Sequence, residues 1–131
     1  LKKPELYEFK TIEDNRGDLH FLEELKDVPF ELKRIYWITN TPEQQVRGGH
    51  AHKTGAQVII CQQGCIEVVL EDQKGQVLSY TLDSPHKGLL IPPMWWGKML
   101  FKDRALLLGL ASDEFTESDY IRDKKEYLGA V

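Results

Sequence analysis

The segment RGGHAHKTGAQ, Arg47 to Gln57, sets two imidazoles, His50 and His52, on either side of one small residue. In an extended chain, residues i and i+2 face the same way, so both rings enter one space. An imidazole titrates near pH ~6.5, which suits a facing pair to proton transfer or to metal ligation.

Ligand count separates these two chemistries. A metal-binding double-stranded β-helix uses H-x-H, a carboxylate a few residues on, and a third histidine from a later strand. Here Gln57 stands at the carboxylate position, and the later stretch reads Trp95, Trp96, Gly97, Lys98. His86 remains, but it precedes Gly88 in a turn-like run. Two imidazoles and an amide are a poor set for zinc or iron, so neither a metal nor a cofactor is expected. The pair then reads as acid/base machinery, with a structural role as the alternative.

Other side chains can bind a phosphate, a sugar oxygen or a flat ring. Arg16 and Arg47 can clamp a phosphate. Tyr36 can donate to a sugar or phosphate oxygen. Trp95 and Trp96 can form a stacking wall for a base, or sit in the core. Arg16 also fits a solvated hairpin, since it follows Asp14 and Asn15 and precedes Gly17. His20, beside Leu19 and Phe21, and His86 read as surface or rim residues.

Strands must position these residues. RIYWIT from Arg34 is aromatic and β-branched, and QVLSYTL from Gln76 alternates. AQVIICQQGCIEVVLED reads as two short strands around Gly64, with QQG as the turn. KGLLI and ALLLGLAS add more, and Pro92 and Pro93 mark a bend or sheet edge. About seven to ten short strands at spacings of about ten residues, with no βαβ rhythm, predict an all-β sandwich or barrel. One helix is expected, opening at Thr116 with Asp119 as the capping partner, in TESDYIRDKKEYL. LEELKDVPF can hold one turn before Pro29, and the first ten residues can pair with a neighbour.

Bulk properties narrow the function classes. The 131 residues predict one domain, 1–131, large enough to bury its own core. Net charge is -4 and no Lys/Arg block exceeds two residues, which argues against nucleic acid as a partner. No apolar run approaches the ~18–20 residues of a membrane span, and the first residues show no signal-peptide pattern. A cytoplasmic protein is expected. Cys61 and Cys65, spaced C-x3-C, read as inert thiols packed with their strands.

The chain resembles the nucleotide-sugar 3,4-ketoisomerases, small cupins that act on dTDP-4-keto-6-deoxyglucose. The resemblance is carried by DNRGDL, PFELKRIYWI, RGGHAHK, QVIICQQGCIEVVLED, LDSPHKGLLIPP, W-x-x-M at Trp96 to Met99, and LASDEFTESDYIR. It implies a cupin jelly roll with a short C-terminal helix, and a homodimer with exchanged strands. It also implies transfer of a keto group between C4 and C3 without metal or redox cofactor. Such enzymes serve the making of 3-amino-3,6-dideoxy sugars for surface glycans or antibiotics. The catalytic role falls on His50 and His52, with His52 expected as principal base and His50 assisting at the oxygens. Tyr36 matches an active-site tyrosine, and Arg16 and Arg47 match arginines lining the sugar-nucleotide site. Gln57, Trp95, Trp96 and Lys98 complete the expected binding set.

The sequence departs from that family at WGKM, where W-H-E-M is familiar, so Gly97 replaces histidine and Lys98 replaces glutamate. Lys98 then either meets a phosphate or points to solvent. Ala56 stands where a longer side chain is usual, and Trp37 where a second tyrosine is common. A sugar-nucleotide epimerase and a non-catalytic module binding a nucleotide sugar are the competing readings.

Overall fold

The computed structural model describes residues 2–130. Ten strands follow the alternation of the sequence: β1 (Glu5–Glu8), β2 (Lys10–Asp14), β3 (Gly17–Phe21), β4 (Arg34–Ile38), β5 (Gln45–His52), β6 (Gln57–Glu71), β7 (Val77–Leu82), β8 (Lys87–Ile91), β9 (Trp96–Ala111) and β10 (Tyr120–Ile121). One helix, α1 (Lys124–Gly129), closes the chain.

Two strands organise the rest. β6 and β9 run antiparallel along their whole lengths, from Gln57 opposite Ala111 to Glu71 opposite Trp96. Their outer partners change along the way. At one end β4 joins β9, and β8 joins β6 with β1 on its outer side. At the other end β7 joins β6, and β5 joins β9 with β10 on its outer side. The long pair therefore belongs to two facing layers, which is the double-stranded β-helix of a jelly roll.

The pair turns this corner at Gly64. Register shifts lie between Cys61 and Gln63 and between Gln63 and Cys65. Gly64 has φ +83, and a Cβ there would stand 2.6 Å from the Asp103 carbonyl oxygen. Asp103 and Arg104 opposite it also have positive φ. QQG is therefore a pair of bulges within one strand, not a hairpin turn between two. Bulges bend a strand without ending it, and a short glycine-containing run looks the same either way in sequence.

Alternation assigns each face. Ile66, Val68 and Leu70 of β6, Phe101 and Leu107 of β9, and Trp95 fill the space between the layers. Val58, Ile60, Leu90 and Leu110 face outward and are covered by Phe9, Val28 and Phe30 from the N-terminal third. On the other layer α1 lays Tyr127 against Trp96, Ala51 and Ile121. The Tyr127 hydroxyl sits 2.8 Å from the Met94 carbonyl and 2.9 Å from that of Glu71.

The helix starts later than the capping pattern predicts. Thr116 leads only into a 3-10 turn, Glu117–Asp119, and makes no side-chain cap bond. Tyr120 and Ile121 then pair with β5, which holds them extended. α1 begins after Asp123, whose carboxylate accepts from the Lys125 amide at 3.0 Å. The first residues pair internally, β1 with β8. Both cysteines are free; Cys61 is buried, and burial pushes its thiol up to about 11.

Candidate active site

β5 delivers both histidines. Gly48 and Gly49 have φ +98 and +78, and the strand shifts register against β9 between Gly48 and His50. Gly48 is required there, since a Cβ would stand 2.7 Å from the Gly97 carbonyl oxygen. Beyond the bulge, the His50 and His52 rings lie 5.4 Å apart, edge to face. Tyr120 from β10 lies against both, 5.1 Å from His50 and 4.3 Å from His52.

The two imidazoles have different surroundings. His52 is buried, with both ring nitrogens engaged. Its Nδ1 donates to Asp119 Oδ2 at 2.9 Å, and its Nε2 lies 2.6 Å from Gln57 Nε2. Asp119 is held in turn by the Thr54 amide at 2.8 Å. The amide of Gln57 continues to the hydroxyl of Tyr36, which donates to Gln57 Oε1. Four side chains from four segments thus form one line, Asp119–His52–Gln57–Tyr36.

His50 stands outside that line. Its Nδ1 is buried without a partner among the described residues. It opens into a cleft of about 240 Å³ lined by Tyr36, Arg47, His50, Gln57, Met99, Tyr120 and Arg122. A wider, more polar cleft of about 510 Å³ adjoins it, sharing Arg47, Gly48, His50 and Arg122 and adding Thr39 to Pro42. The pair of clefts offers a small chamber beside the imidazole and an outer channel flanked by two guanidiniums. Another cleft of about 520 Å³ lies behind Asp119, but no imidazole or phenol lines it.

Burial sets the protonation states. Desolvation, then the neighbouring His52 and the charge of Arg122, pushes His50 down to about 4, against a smaller opposing pull from Glu117. Desolvation also lowers His52, although Asp119 works against it. Burial raises the Tyr36 phenol far above its ordinary range, despite Arg34 and Arg47 nearby. Near neutral pH the site holds two neutral imidazoles and a protonated phenol.

The structure brings together His50, His52, Tyr36, Arg47 and Gln57. It does not bring the tryptophans to the cleft. Trp95 is 6% exposed inside the core, its Nε1 donating to the Lys2 carbonyl at 3.0 Å, and Trp96 is 7% exposed beneath α1. They supply packing, not a stacking wall. Lys98 is exposed on the face of β9 opposite Met99, because β-strand alternation turns it outward. Arg16 lies at the β2–β3 tip with its side chain 87% exposed and paired to Asp14 at 2.7 Å. Within one chain it is absent from both clefts. Among the described residues no three His, Cys, Asp or Glu side chains converge as a metal site.

Asp119, expected only as a helix-capping partner, and Tyr120 and Arg122 were not expected in the site. They reach the site only because the two residues of β10 pair with β5, Tyr120 opposite His52. The Arg122 guanidinium lies 4.4 Å from the centroid of the Tyr120 ring and is held by Glu117. The signal was the SDYIR run itself, a short polar–aromatic stretch where a helix was expected.

Comparison with known proteins accords with this geometry. A family model described as FdtA: WxcM-like, C-terminal, matches residues 2–131. The chain belongs to that family. The WxcM-like chain is 41% identical over 128 residues to the TDP-4-oxo-6-deoxy-alpha-D-glucose-3,4-oxoisomerase of Aneurinibacillus thermoaerophilus, covering 94% of this chain and 91% of that one. A 3,4-ketoisomerase from Helicobacter canadensis superposes with TM-score 0.90 at 44% identity, over 95% of this chain and 94% of the other. QdtA, a sugar 3,4-ketoisomerase from Thermoanaerobacterium thermosaccharolyticum solved with TDP, gives TM-score 0.92 at 36% identity, over 98% and 93%. The jelly roll expected from the sequence is thus the fold of these relatives.

Proposed function

We propose that this WxcM-like chain is a sugar-nucleotide 3,4-ketoisomerase acting on a dTDP-4-keto-6-deoxyhexose. The observation that carries this is His50: a neutral imidazole opening into a small polar chamber, with Arg47 and Arg122 at the adjoining channel. The C3 proton of a 4-ketosugar is acidic because it is α to a carbonyl. His50 removes it, giving an enediol, and the same imidazolium returns a proton to C4. A proton moves from O3 to O4, so the keto group shifts to C3 with no net gain or loss. The guanidiniums flank the space for the diphosphate, and holding it fixes the sugar over His50.

The principal base moves from His52, the expectation from sequence, to His50. A base needs a free lone pair facing the substrate, and both His52 nitrogens are occupied. His52 instead supports the site from behind.

The same reading includes a homodimer with exchanged strands. Arg16, matched to the sugar-nucleotide site, stands on an exposed ribbon with Ile12 and Leu19, 54% and 59% exposed. A second copy that takes up this ribbon covers the two apolar side chains and brings Arg16 to a neighbouring site. Two free thiols accord with a reducing compartment such as the cytoplasm, and among the described residues no helix is long and apolar enough to cross a membrane.

Proton NMR of the protein with dTDP-4-keto-6-deoxyglucose tests the reading. A 3-keto product is expected. Deuterium entering C3 with inversion at that carbon and no 3-keto product indicates an epimerase instead. Binding without exchange indicates a non-catalytic module.

A further inference from the structure

The line Asp119–His52–Gln57–Tyr36 has a direction, and the direction follows from its acidic end. Burial alone would raise Asp119, but hydrogen bonds from Thr54 and His52 outweigh it and leave the carboxyl below its usual range. A carboxylate only accepts, so the His52 nitrogen 2.9 Å away must carry its proton on Nδ1. In a neutral ring Nε2 is then a lone pair. The group 2.6 Å from that lone pair must be a donor, so Gln57 presents its amide N–H there. The opposite amide orientation would set two acceptors against each other. With nitrogen toward His52, Gln57 Oε1 faces Tyr36 and takes its single hydroxyl proton.

We infer that Gln57 is a positioning residue that fixes Tyr36 as a hydrogen-bond acceptor toward the cleft in the resting enzyme. The phenol proton is committed to Gln57, and only oxygen lone pairs remain for the substrate. This rests on the ketoisomerase reading for its catalytic meaning. There, Tyr36 receives the hydrogen bond of the C3 hydroxyl and does not supply the proton that stabilises the enediolate. Donation to the keto oxygen falls to another group of the chamber wall. The role of Gln57 also changes from substrate ligand to relay, because its oxygen and one N–H are spent on protein partners.

The groups around His52 that bear on its protonation are Asp119 and Asp113 on the segment after β9, Arg34 on β4, His50 on β5 and Tyr120 on β10. Arg34 and the burial of the ring favour the neutral form, and the two carboxylates oppose it.

The resting polarity is measurable without any sugar nucleotide. Long-range proton–nitrogen correlation of the 15N-labelled protein at pH 8 reads the His52 tautomer. A scalar coupling between Gln57 Nε2 and His52 Nε2 reports an N–H···N bond directly. The Nδ1–H tautomer with that coupling is expected. A proton on His52 Nε2 overturns the inference, since it turns the amide over and frees the phenol. Gln57→Leu supplies the second readout. It is expected to lower kcat tenfold or more while TDP affinity stays within twofold of wild type. Unchanged kcat, or a loss confined to TDP affinity, overturns the relay role. Failure of the wild-type protein to turn over the ketosugar would remove the isomerase reading but leave the tautomer result to decide the polarity.

Discussion

His50 and His52 are one residue apart, yet their ring nitrogens meet different partners. His52 is locked between Asp119 and Gln57, while His50 has an orphan Nδ1 and an open cleft. The difference predicts an unusual pH profile. A general base works when deprotonated, and burial lowers the His50 pKa to about 4. The acid limb of kcat/KM, which reports the free enzyme, is therefore expected to approach pH 4, with activity flat from pH 8 through 6. A limb at the ordinary histidine value, near ~6.5, would contradict this assignment. The same shift makes the unfolded chain bind more protons than the folded one between those two values. Stability is then present above the unfolded pKa and declines as pH falls through that window toward 4.

At the scale of elements, the strands position the site through a few close approaches. Tyr36 on β4 lies opposite Gly109 on β9, and a Cβ on Gly109 would overlap the Tyr36 ring. Gly109→Ala is expected to displace that ring, lowering kcat by about 10²-fold, since small misplacements of this kind are costly. Its stability cost is expected at about 1–3 kcal/mol, the usual range for overpacking. Steady-state kinetics and a urea melt measure both, and wild-type kcat would show that the ring position is unimportant. These elements were unevenly legible in the sequence. β4 and β7 were visible because aromatic, β-branched or alternating residues mark a half-buried strand. The break after Ile91 was visible because proline cannot continue a ladder. The placing of Trp95 in the core and of Trp96 and Lys98 together on the outer face of β9, Trp96 beneath α1, was left open, because one register step exchanges the two faces. Gly64 was misread for a related reason: bulge and turn differ in partners, not in local composition. The terminal helix was misplaced because its first residues were claimed by a long-range pairing with β5.

For the whole molecule, the histidine pair, Tyr36, Arg47 and Gln57 could be proposed from one contiguous segment and its neighbours. Asp119, Tyr120 and Arg122 could not, since nothing local says that β10 will lie beside β5, nearly seventy residues away (His52 Nδ1 to Asp119 Oδ2 spans 67). Arg16 belongs to this scale too. Its place on a solvent-exposed hairpin tip leaves it a role only if a second copy meets it. Mixing Arg16→Ala with His50→Asn tests this, after unfolding and refolding the two inactive variants together. If the hairpin works across the dimer, or each site needs one residue from each chain, half the dimers become hybrids with one intact site. Recovery of about a quarter of wild-type activity is then expected. No recovery would place Arg16 and His50 in the same chain's site, and an Arg16→Ala variant already active before mixing would leave Arg16 outside catalysis.

The most direct test of the central claim is deuterium exchange at C3 of dTDP-4-keto-6-deoxyglucose in D₂O, compared for wild type, His50→Asn and His52→Asn. With His50 as the base, His50→Asn binds TDP normally but loses exchange by about 10²–10⁴-fold, the range of general-base catalysis, while His52→Asn keeps a measurable fraction. Wild-type exchange in His50→Asn, with exchange abolished only in His52→Asn, would contradict the claim and return the base to His52.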